Sequence, residues 1–327
     1  MKAEILQVLR ETDGFVSGQN ICRKLAVTRT AVWKAIGQLR EEGYVIEAVP
    51  NKGYRLKSSP DSISAAEIGS RLTTRWAGLP TVFLKKIDST NNEAKRRAEK
   101  GAVHGSLFVA EEQDAGKGRR GRSWESPVGS AIAMSLLLKP WFSPGSASML
   151  TLVAAMAVAD GIRSVTGLET GIKWPNDIVV NGKKVCGILT EMSAEMDCIN
   201  YVVIGIGINV NVTEFPEEIR DRATSILLET GEQVCRAEII AQILSAFERY
   251  YELFLETEDL TLLKQVYEER LVNLGKPVCV LDPKGEWKGE ARGIDEKGRL
   301  LVKAETDGEV QAVESGEVSV RGVYGYV

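Results

Sequence analysis

The sequence predicts a multidomain α+β protein, because its hydrophobic pattern changes character twice along the 327 residues. Residues 1–62 combine short helical stripes with two strand-like runs. Residues 63–270 alternate strands with long amphipathic helices, and residues 271–327 carry only short strands between turn signals. We therefore expect three domains with these bounds, the central one a mixed α/β domain around a single core.

Composition limits the class of protein. Hydrophobic residues make up 44% of the chain and charged residues 26%, and no stretch approaches the roughly 18 apolar residues of a membrane span. The five cysteines are odd in number and form no CxxC pair, which favours free thiols in a reducing cytoplasm. The single histidine, His104, nearly excludes mechanisms that need a histidine pair or a multi-histidine metal site. We expect a cytoplasmic protein with no membrane partner.

The first segment is predicted to contain three helices and a hairpin. Helical stripes begin at Lys2 and again after Ser17 and Thr28, two residues that favour helix N-caps. Two strand-like runs then flank the turn Asn51-Lys52-Gly53. This order resembles a winged helix-turn-helix, which places the second helix of its motif in the major groove of DNA.

The outward side of the third helix carries donors for phosphates and purine edges. Residues 1–60 hold ten Lys/Arg against six Asp/Glu, a balance of +4, which leaves −8 for the rest of a chain whose net charge is −4. A packing or dimerisation module with solvated cations is the alternative to DNA binding. We favour DNA binding, with these candidate residues: Arg29, Thr30, Trp33, Lys34 and Gln38 on the helix, and Lys52 and Arg55 on the wing.

In the central segment, β-branched runs predict strands and wider apolar stripes predict two long helices, at about Ser146–Val165 and Arg236–Glu256. The predicted strands are Thr81–Ile87, Ser106–Ala110, Ala131–Leu138, Ile178–Val180, Val185–Glu191 and Tyr201–Val210.

After about Val272, turn signals recur between short runs rich in valine and leucine. Five short strands at that spacing predict a small SH3-like β-barrel. No residue in it suggests chemistry, so we expect an interaction or lid role.

The most informative string in the centre is the loop Gly116–Trp124, with sequence GKGRRGRSW. It satisfies GxGxxG and nearly matches a phosphate-binding P-loop, but both motifs require a helix next, and here Pro127 and Gly129 precede a strand-like run. What remains is a glycine-spaced loop with four cations in six positions. An anionic ligand would neutralise these charges and order the loop, which would then exclude water from a reactive intermediate. A basic surface loop is the alternative.

Four further strings accompany this loop, and each has an ordinary structural explanation when taken singly. Asp88-Ser89-Thr90-Asn91 opens a helix, and Gln113 lies just ahead of the loop. The others are Lys173–Asp177 (KWPND), Lys184–Leu189 (KVCGIL) and Gly205–Asn209 (GIGIN), whose glycines allow close approach to the backbone.

In this order and spacing the strings resemble the catalytic domain of the biotin–protein ligases. The resemblance covers about residues 80–215, and the flanking domains match the subgroup that is also a repressor. It implies a class II synthetase-like central ligase domain. Family enzymes join biotin and ATP into biotinyl-5′-adenylate, release pyrophosphate, and pass biotin to a lysine of a carboxylase's biotin carboxyl carrier domain.

The resemblance also implies residue roles. Lys184 corresponds to the lysine that reaches the carboxyl end of biotin, where a fixed ammonium holds the attacking carboxylate beside the phosphate. The implied biotin-binding residues are Ser89, Thr90, Asn91, Gln113, Lys117, Gly118, Arg119 and Lys184.

For ATP, the implied residues are Arg119, Arg122, Asn176 and Asn209, with magnesium arriving with the nucleotide and no dedicated protein metal site. Asp177 is the candidate for assisting deprotonation of the acceptor lysine, with a core or turn-capping aspartate as the alternative. We therefore expect Lys184, Arg119 and Asp177 to be the catalytic residues.

Small departures from the family pattern concern Lys117, where arginine is expected, and Cys186, where alanine is usual. Lysine lacks the planar fork of arginine and holds phosphate less firmly. Cys186 is expected to be a buried small hydrophobe. Trp124 either stacks on biotin or fills the core.

The two halves of the chain suggest one regulatory cycle. We expect biotinyl-5′-AMP, the corepressor, to order the loop and promote a homodimer that places two basic helices on a palindromic operator of the biotin genes. Two alternatives remain: a ligand-sensing repressor without catalysis, and a lipoate–protein ligase, against which the loop and the N-terminal module both argue.

Overall fold

The computed structural model describes residues 1–125, 127–282, 285–315, 319–322 and 326–327. The helices are α1 (Lys2–Glu11), α2 (Gly18–Leu25), α3 (Arg29–Glu41), α4 (Ala65–Gly69), α5 (Thr90–Glu99), α6 (Leu150–Thr166), α7 (Ile226–Thr230), α8 (Arg236–Thr257) and α9 (Lys264–Glu268). The strands are β1 (Val45–Val49), β2 (Gly53–Ser58), β3 (Thr81–Leu84), β4 (Leu107–Ala110), β5 (Ala131–Leu138), β6 (Gly171–Lys173), β7 (Asp177–Val180), β8 (Lys183–Glu195), β9 (Cys198–Asn209), β10 (Pro277–Asp282), β11 (Gly285–Ile294), β12 (Leu300–Ala304), β13 (Val310–Val313) and β14 (Ser319–Gly322).

The N-terminal segment is a winged helix-turn-helix, as predicted. The hydroxyls of Ser17 and Thr28 accept hydrogen bonds from the backbone N–H groups of Asn20 and Ala31, so both act as N-caps. Strands β1 and β2 pair antiparallel into the wing. Apolar residues of α1, α2, α3 and β1 form a core of their own, separate from that of the rest of the chain.

The central segment contains a seven-stranded sheet in the order β3-β4-β5-β9-β8-β7-β6. Only β3 and β4 pair parallel, and the other neighbours are antiparallel. The long helices α6 and α8 pack against each other and bury one face of the sheet, while α5 packs over β4, β5 and β9 on the other. The part of that second face not covered by α5 is available for a ligand.

The core of the central segment includes one helical stretch, Pro144–Thr166, that is long and apolar enough to cross a membrane. It does so by length and composition only, and 72% of its apolar window is buried inside the fold, as expected for the core helix of a globular protein.

The C-terminal segment forms five antiparallel strands in the order β13-β12-β11-β10-β14. The number of described strands is as predicted, but their pairings leave β13 and β14 as two edges, so within the described residues the sheet does not close into the predicted SH3-like barrel. The apolar face of this sheet belongs to the same core as the central domain, including Val278, Val302 and Leu300. Because the central domain supplies the opposite wall of that core, the sheet buries its apolar side without closing on itself.

Four elements escaped the sequence prediction: α4, β6, α7 and α9. Each has five residues or fewer, which is too short for an apolar period to be recognised. Helix α4 joins the first two domains. Its buried Glu67 accepts hydrogen bonds from Arg10 in α1, from Tyr44 before β1 and from Arg71, which also pairs with Glu238 in α8.

Candidate active site

A pocket of about 470 Å³, including the open space at its mouth, lies on the face of the central sheet beside α5. It is bounded by the start of α5, by the loop Gly116–Trp124, and by strands β5, β8 and β9. The lining residues are Ser89, Thr90, Asn91, Gln113, Lys117, Gly118, Arg119, Trp124, Ala133, Met134, Asn176, Lys184, Gly187, Ile188, Leu189, Gly205, Ile206 and Gly207.

One part of the pocket is a buried cluster of amides and hydroxyls at the start of α5. Gln113 Oε1 accepts hydrogen bonds from the backbone N–H of Thr90 (2.9 Å) and from its hydroxyl (3.1 Å). Ser135 Oγ on β5 lies 2.8 Å from Thr90 Oγ1 and donates to Asn91 Oδ1 at 2.6 Å. Ser89 is buried as the N-cap residue but makes no capping bond with its side chain. These mutual hydrogen bonds fix the orientation of each polar group before a ligand arrives.

Asn91 is held from its other side by Glu191 on β8, whose carboxylate accepts a hydrogen bond from Asn91 Nδ2 at 2.7 Å. Burial raises the pKa of Glu191, but hydrogen bonds from Lys95 and Asn91 outweigh burial, so that its pKa falls below its ordinary value. Glu191 therefore remains ionised and fixes which way the Asn91 amide points.

Glycines form the floor of the pocket where β8 and β9 pair. A Cβ at Gly205 would lie 2.2 Å from Asn91 Oδ1, and a Cβ at Gly207 would lie 2.4 Å from Trp124 Cε2. Gly187, paired with Gly207, leaves room for the Lys184 ammonium, which would lie 2.9 Å from a Cβ there. Only glycine permits these side chains to approach the sheet so closely.

The loop Gly116–Trp124 forms a narrow turn over this floor. The backbone N–H of Gly118 donates to Arg122 O (2.7 Å), and that of Trp124 to Gly116 O (2.9 Å). The chain then enters strand β5 and not a helix, which excludes the dinucleotide and P-loop interpretations. The Trp124 indole packs on Gly207, and its Nε1 is buried without a hydrogen-bond partner among the described residues.

Arg119 connects the loop to two other parts of the molecule. Its guanidinium donates to Asn176 Oδ1 at 3.0 Å and to the backbone carbonyl of Ser315 in the C-terminal domain. Burial lowers the pKa of Arg119 from its ordinary value, while Asp177 opposes that shift. The ordinary pKa of arginine lies far above neutral pH, so the guanidinium remains a cation there.

Lys184 points into the pocket because β8 contains a bulge. The pairing of β7 with β8 skips Val185, since Ile178 faces Cys186 and Val179 faces Lys184. The ammonium of Lys184 lies 2.5 Å from Asp177 Oδ1 and 5.6 Å from the centre of the Trp124 ring. Cys186 is fully buried, as expected, and burial raises the pKa of its thiol.

The structure brings together most, but not all, of the predicted site residues. The eight residues expected to bind biotin all line the pocket, as does Asn176. Arg122 is exposed outside it, and Asn209 is buried with its amide donating to Thr224 O at 3.1 Å. Asp177 does not line the pocket but lies behind Lys184.

Sequence reasoning missed four residues that the structure places at the site: Ser135, Glu191, Ser315 and Tyr326. Tyr326, at the end of the chain, donates its hydroxyl to Asp177 Oδ2 at 2.5 Å. Ser135 is the only polar residue of its apolar strand, a signal that sequence inspection could have found.

The candidate DNA-binding residues lie in the N-terminal winged helix-turn-helix. Arg29, Thr30, Trp33, Lys34 and Gln38 are exposed on α3, and Lys52 is exposed in the wing. Arg29 donates to Gln19 at 2.9 Å, so α2 supports its orientation. Arg55 is only partly exposed, because it pairs with Glu47 at 2.7 Å and covers the Phe15 ring.

Within the described ranges, no group of three or more His, Cys, Asp or Glu side chains is arranged to hold a metal ion. The five cysteines, all in the described part of the chain, are free thiols.

The architecture and the pocket define a class of protein ligases joined to a DNA-binding module, and family models match each part. The model described as the biotin/lipoate A/B protein ligase family matches residues 83–209. An HTH domain model matches residues 2–55, and the biotin protein ligase C terminal domain matches residues 274–321.

Relatives narrow this class. The chain is 42% identical over 308 residues to the bifunctional ligase/repressor BirA of Bacillus subtilis, covering 94% of both chains. It is 32% identical over 307 residues to the bifunctional ligase/repressor BirA of Escherichia coli, covering 94% of this chain and 93% of the relative. The biotin protein ligase from Aquifex aeolicus, solved in complex with biotin and ATP, superposes with a TM-score of 0.65 at 33% identity, covering 74% of this chain and 98% of that one. The chain belongs to the family of bifunctional biotin ligase/repressors.

Proposed function

We propose that this chain joins biotin and ATP into biotinyl-5′-AMP, transfers the biotin to a lysine of a biotin carboxyl carrier domain, and represses biotin genes as a dimer when the adenylate is bound. The observation that carries the proposal is the pocket, which combines a buried cluster of amides and hydroxyls with the cations Lys184 and Arg119. Biotin has complementary chemistry, a ureido ring that donates and accepts hydrogen bonds and a carboxylate tail. The ring of lipoate has no hydrogen-bonding group, so it would leave the polar cluster unpaired.

The order of residues along β9 supports this orientation of biotin. Gly205 lies against Asn91, whereas Gly207, two residues further on, lies against Trp124 and is paired with Gly187 beside Lys184. Two residues of a strand span roughly 7 Å. The ureido ring would therefore lie at the Asn91 end, with the tail running past Trp124 toward Lys184.

In the activation step, a biotin carboxylate oxygen bonds to the α-phosphorus of ATP as the bond to the β-phosphate oxygen breaks and pyrophosphate leaves. Lys184 places a fixed positive charge where two anions must meet, and Arg119 is suited to the phosphates. We assign Asn176, Arg122 and Asn209 to the ATP region as well. Because the described residues of this region offer cations and amides, and no group of three or more carboxylates arranged for a metal, magnesium is expected to arrive with ATP.

In the transfer step, the acceptor lysine attacks the biotinyl carbonyl and AMP leaves. We propose that Asp177 assists deprotonation of that lysine. Its contact with Lys184 gives it a role in activation too, because it orients the ammonium. The lysine-bearing partner is proposed to be a biotin carboxyl carrier domain of a carboxylase, in the cytoplasm, where the five thiols would remain reduced.

The position of the ureido ring can be tested with Gly205→Ala. The new methyl group would lie 2.2 Å from Asn91 Oδ1, and Asn91 cannot turn away without losing its bonds to Ser135 and Glu191. We expect the KM for biotin to rise roughly tenfold or more, with the KM for ATP little changed. Gly145→Ala is the control, since the nearest atom to its Cβ would be 3.7 Å away. An unchanged KM for biotin in Gly205→Ala would contradict this placement.

The repressor half can be tested by fluorescence anisotropy with a promoter fragment of the source organism's biotin synthesis genes. We expect biotinyl-5′-AMP to tighten binding of the full chain by roughly tenfold or more, because a dimer contacts two half-sites. Lys34→Ala should weaken binding and reduce the slope of log K against log salt by about 1. Lys100→Ala, an exposed lysine of the central domain, is the control. Equal affinity with and without the adenylate would rule out the corepressor role.

A further inference from the structure

The last two residues of the chain contact the catalytic sheet of the central domain. The Tyr326 side chain is partly buried, and its hydroxyl donates to Asp177 Oδ2 at 2.5 Å. Val327 Cγ2 would lie 3.5 Å from a Cβ at Gly182, in the turn between β7 and β8. The end of the chain therefore reaches the turn that precedes Lys184.

Asp177 divides its two carboxylate oxygens between two partners. Oδ1 faces the ammonium of Lys184 at 2.5 Å, and Oδ2 accepts the hydroxyl of Tyr326 at the same distance. Of these three residues only Lys184 lines the pocket. Tyr326 is therefore linked to the pocket-lining Lys184 through Asp177 and does not itself line the pocket.

The ring of Tyr326 is held independently of its hydroxyl. The ammonium of Lys173 lies 3.5 Å from the ring centre, in cation–π geometry. Burial raises the pKa of the Tyr326 hydroxyl, and the negative charge of Asp177 raises it further. The hydroxyl therefore keeps its proton throughout the neutral range and remains a donor to Asp177.

We propose that Tyr326 is a positioning residue for biotin activation, holding Asp177 in the orientation that directs Lys184 into the pocket. This inference rests on the proposed role of Lys184. Without the hydroxyl, the Asp177 carboxylate is free to rotate and to offer either oxygen to Lys184. The ammonium is then less well fixed, which affects the transition state, where its position matters, more than the binding of biotin.

The test compares Tyr326→Phe with the wild-type full chain in biotin-dependent ATP–pyrophosphate exchange. Phenylalanine keeps the ring over Lys173 and removes only the hydroxyl. We expect kcat to fall roughly tenfold, with the KM for biotin unchanged within about twofold. Tyr250→Phe is the matched control, because Tyr250 donates to Asp160 at the same 2.5 Å but lies away from the pocket. It should leave both constants at the wild-type values.

A double-mutant cycle with Asp177→Asn separates positioning from a general structural role. If Tyr326 acts only through Asp177, removing its hydroxyl in the Asp177→Asn background should have little further effect on kcat. Additive losses would overturn the proposal, as would a wild-type kcat or a raised biotin KM in Tyr326→Phe. Faster transfer of biotin to the acceptor by Tyr326→Phe would also overturn the proposal, since it would mean that the Tyr326 hydroxyl obstructs the site.

Lys184→Gln distinguishes failure of this inference from failure of the proposed function. If Tyr326→Phe exchanged pyrophosphate at the wild-type rate while Lys184→Gln were inactive, only the proposed role of Tyr326 would be refuted. If Lys184→Gln were itself active, the proposed role of Lys184 would fall, and that of Tyr326 with it.

Discussion

Replacing Lys184 with glutamine is expected to lower kcat/KM for biotin-dependent ATP–pyrophosphate exchange by roughly 100- to 1000-fold. Lys184 is a cation that lines the pocket, and a bulge in β8 and the carboxylate of Asp177 fix its direction. Glutamine is polar and somewhat shorter, and it carries no charge to offset the repulsion between the biotin carboxylate and the α-phosphate. Initial rates with radiolabelled pyrophosphate at several biotin concentrations measure the effect.

The neighbouring residue offers a control for this substitution. Lys183 precedes Lys184 in the same strand and has the same chemistry, but its side chain is exposed and does not line the pocket. Lys183→Gln should therefore exchange pyrophosphate at close to the wild-type rate. Equal losses of activity in the two variants would contradict a specific role of Lys184 and would indicate a general effect of charge or of folding. Circular dichroism would distinguish these two causes.

The pocket could be predicted from the sequence because each of its parts is a short motif of neighbouring residues. In β9, Gly205 and Gly207 alternate with large apolar residues, so the glycines share one face of the sheet and the apolar side chains fill the core on the other. Ser89 and Thr90 stand at a helix start, where a polar side chain is expected whether or not a ligand binds. Each motif alone has an ordinary structural explanation, and only their order along the chain indicated the biotin–protein ligases.

Residues that reach the site from far along the chain could not be predicted in this way. Tyr326 is 149 positions from Asp177, and a tyrosine in a short terminal run has no period or motif that indicates its contact. Ser315 contributes only its backbone carbonyl to Arg119, so its side-chain identity carries no information. Asn209 is assigned to the ATP region by its motif, but the motif did not indicate that its amide donates to Thr224 O.

Arg236 carried a signal that sequence reasoning overlooked. It is the first residue of helix α8, where the positive end of the helix dipole disfavours a cation. The structure explains the exception with two carboxylates, because the guanidinium pairs with Asp61 at 2.9 Å and with Glu111 at 2.7 Å. The backbone N–H of Arg236 also donates to Asp61 at 3.0 Å. The two acidic partners thus account for the basic residue at the start of α8.

Arg236→Met is expected to lower the free energy of unfolding by about 3 kcal/mol. The Arg236 side chain is 2% exposed, so its removal takes a buried guanidinium away from Glu111 and from the Ala131 carbonyl. The estimate is at the lower end of the range for broken buried ion pairs, since the side chains of Asp61 and Glu111 are 32% and 19% exposed and retain some access to water. Urea unfolding followed by tryptophan fluorescence measures the loss, fitted separately for each resolved transition.

Arg249→Met in the same helix is the matched control. Arg249 pairs with Asp160 at 3.2 Å, but its side chain is 62% exposed, so the loss should be under about 1 kcal/mol. Equal losses in the two variants would contradict the assigned contribution of burial. Asp61 lies between the DNA-binding domain and the central domain, and Glu111 also accepts the backbone N–H of Gly129 beyond the loop Gly116–Trp124 at 2.8 Å. Because one guanidinium joins both carboxylates, Arg236→Met should loosen the linker at Asp61 and the segment at Gly129 together.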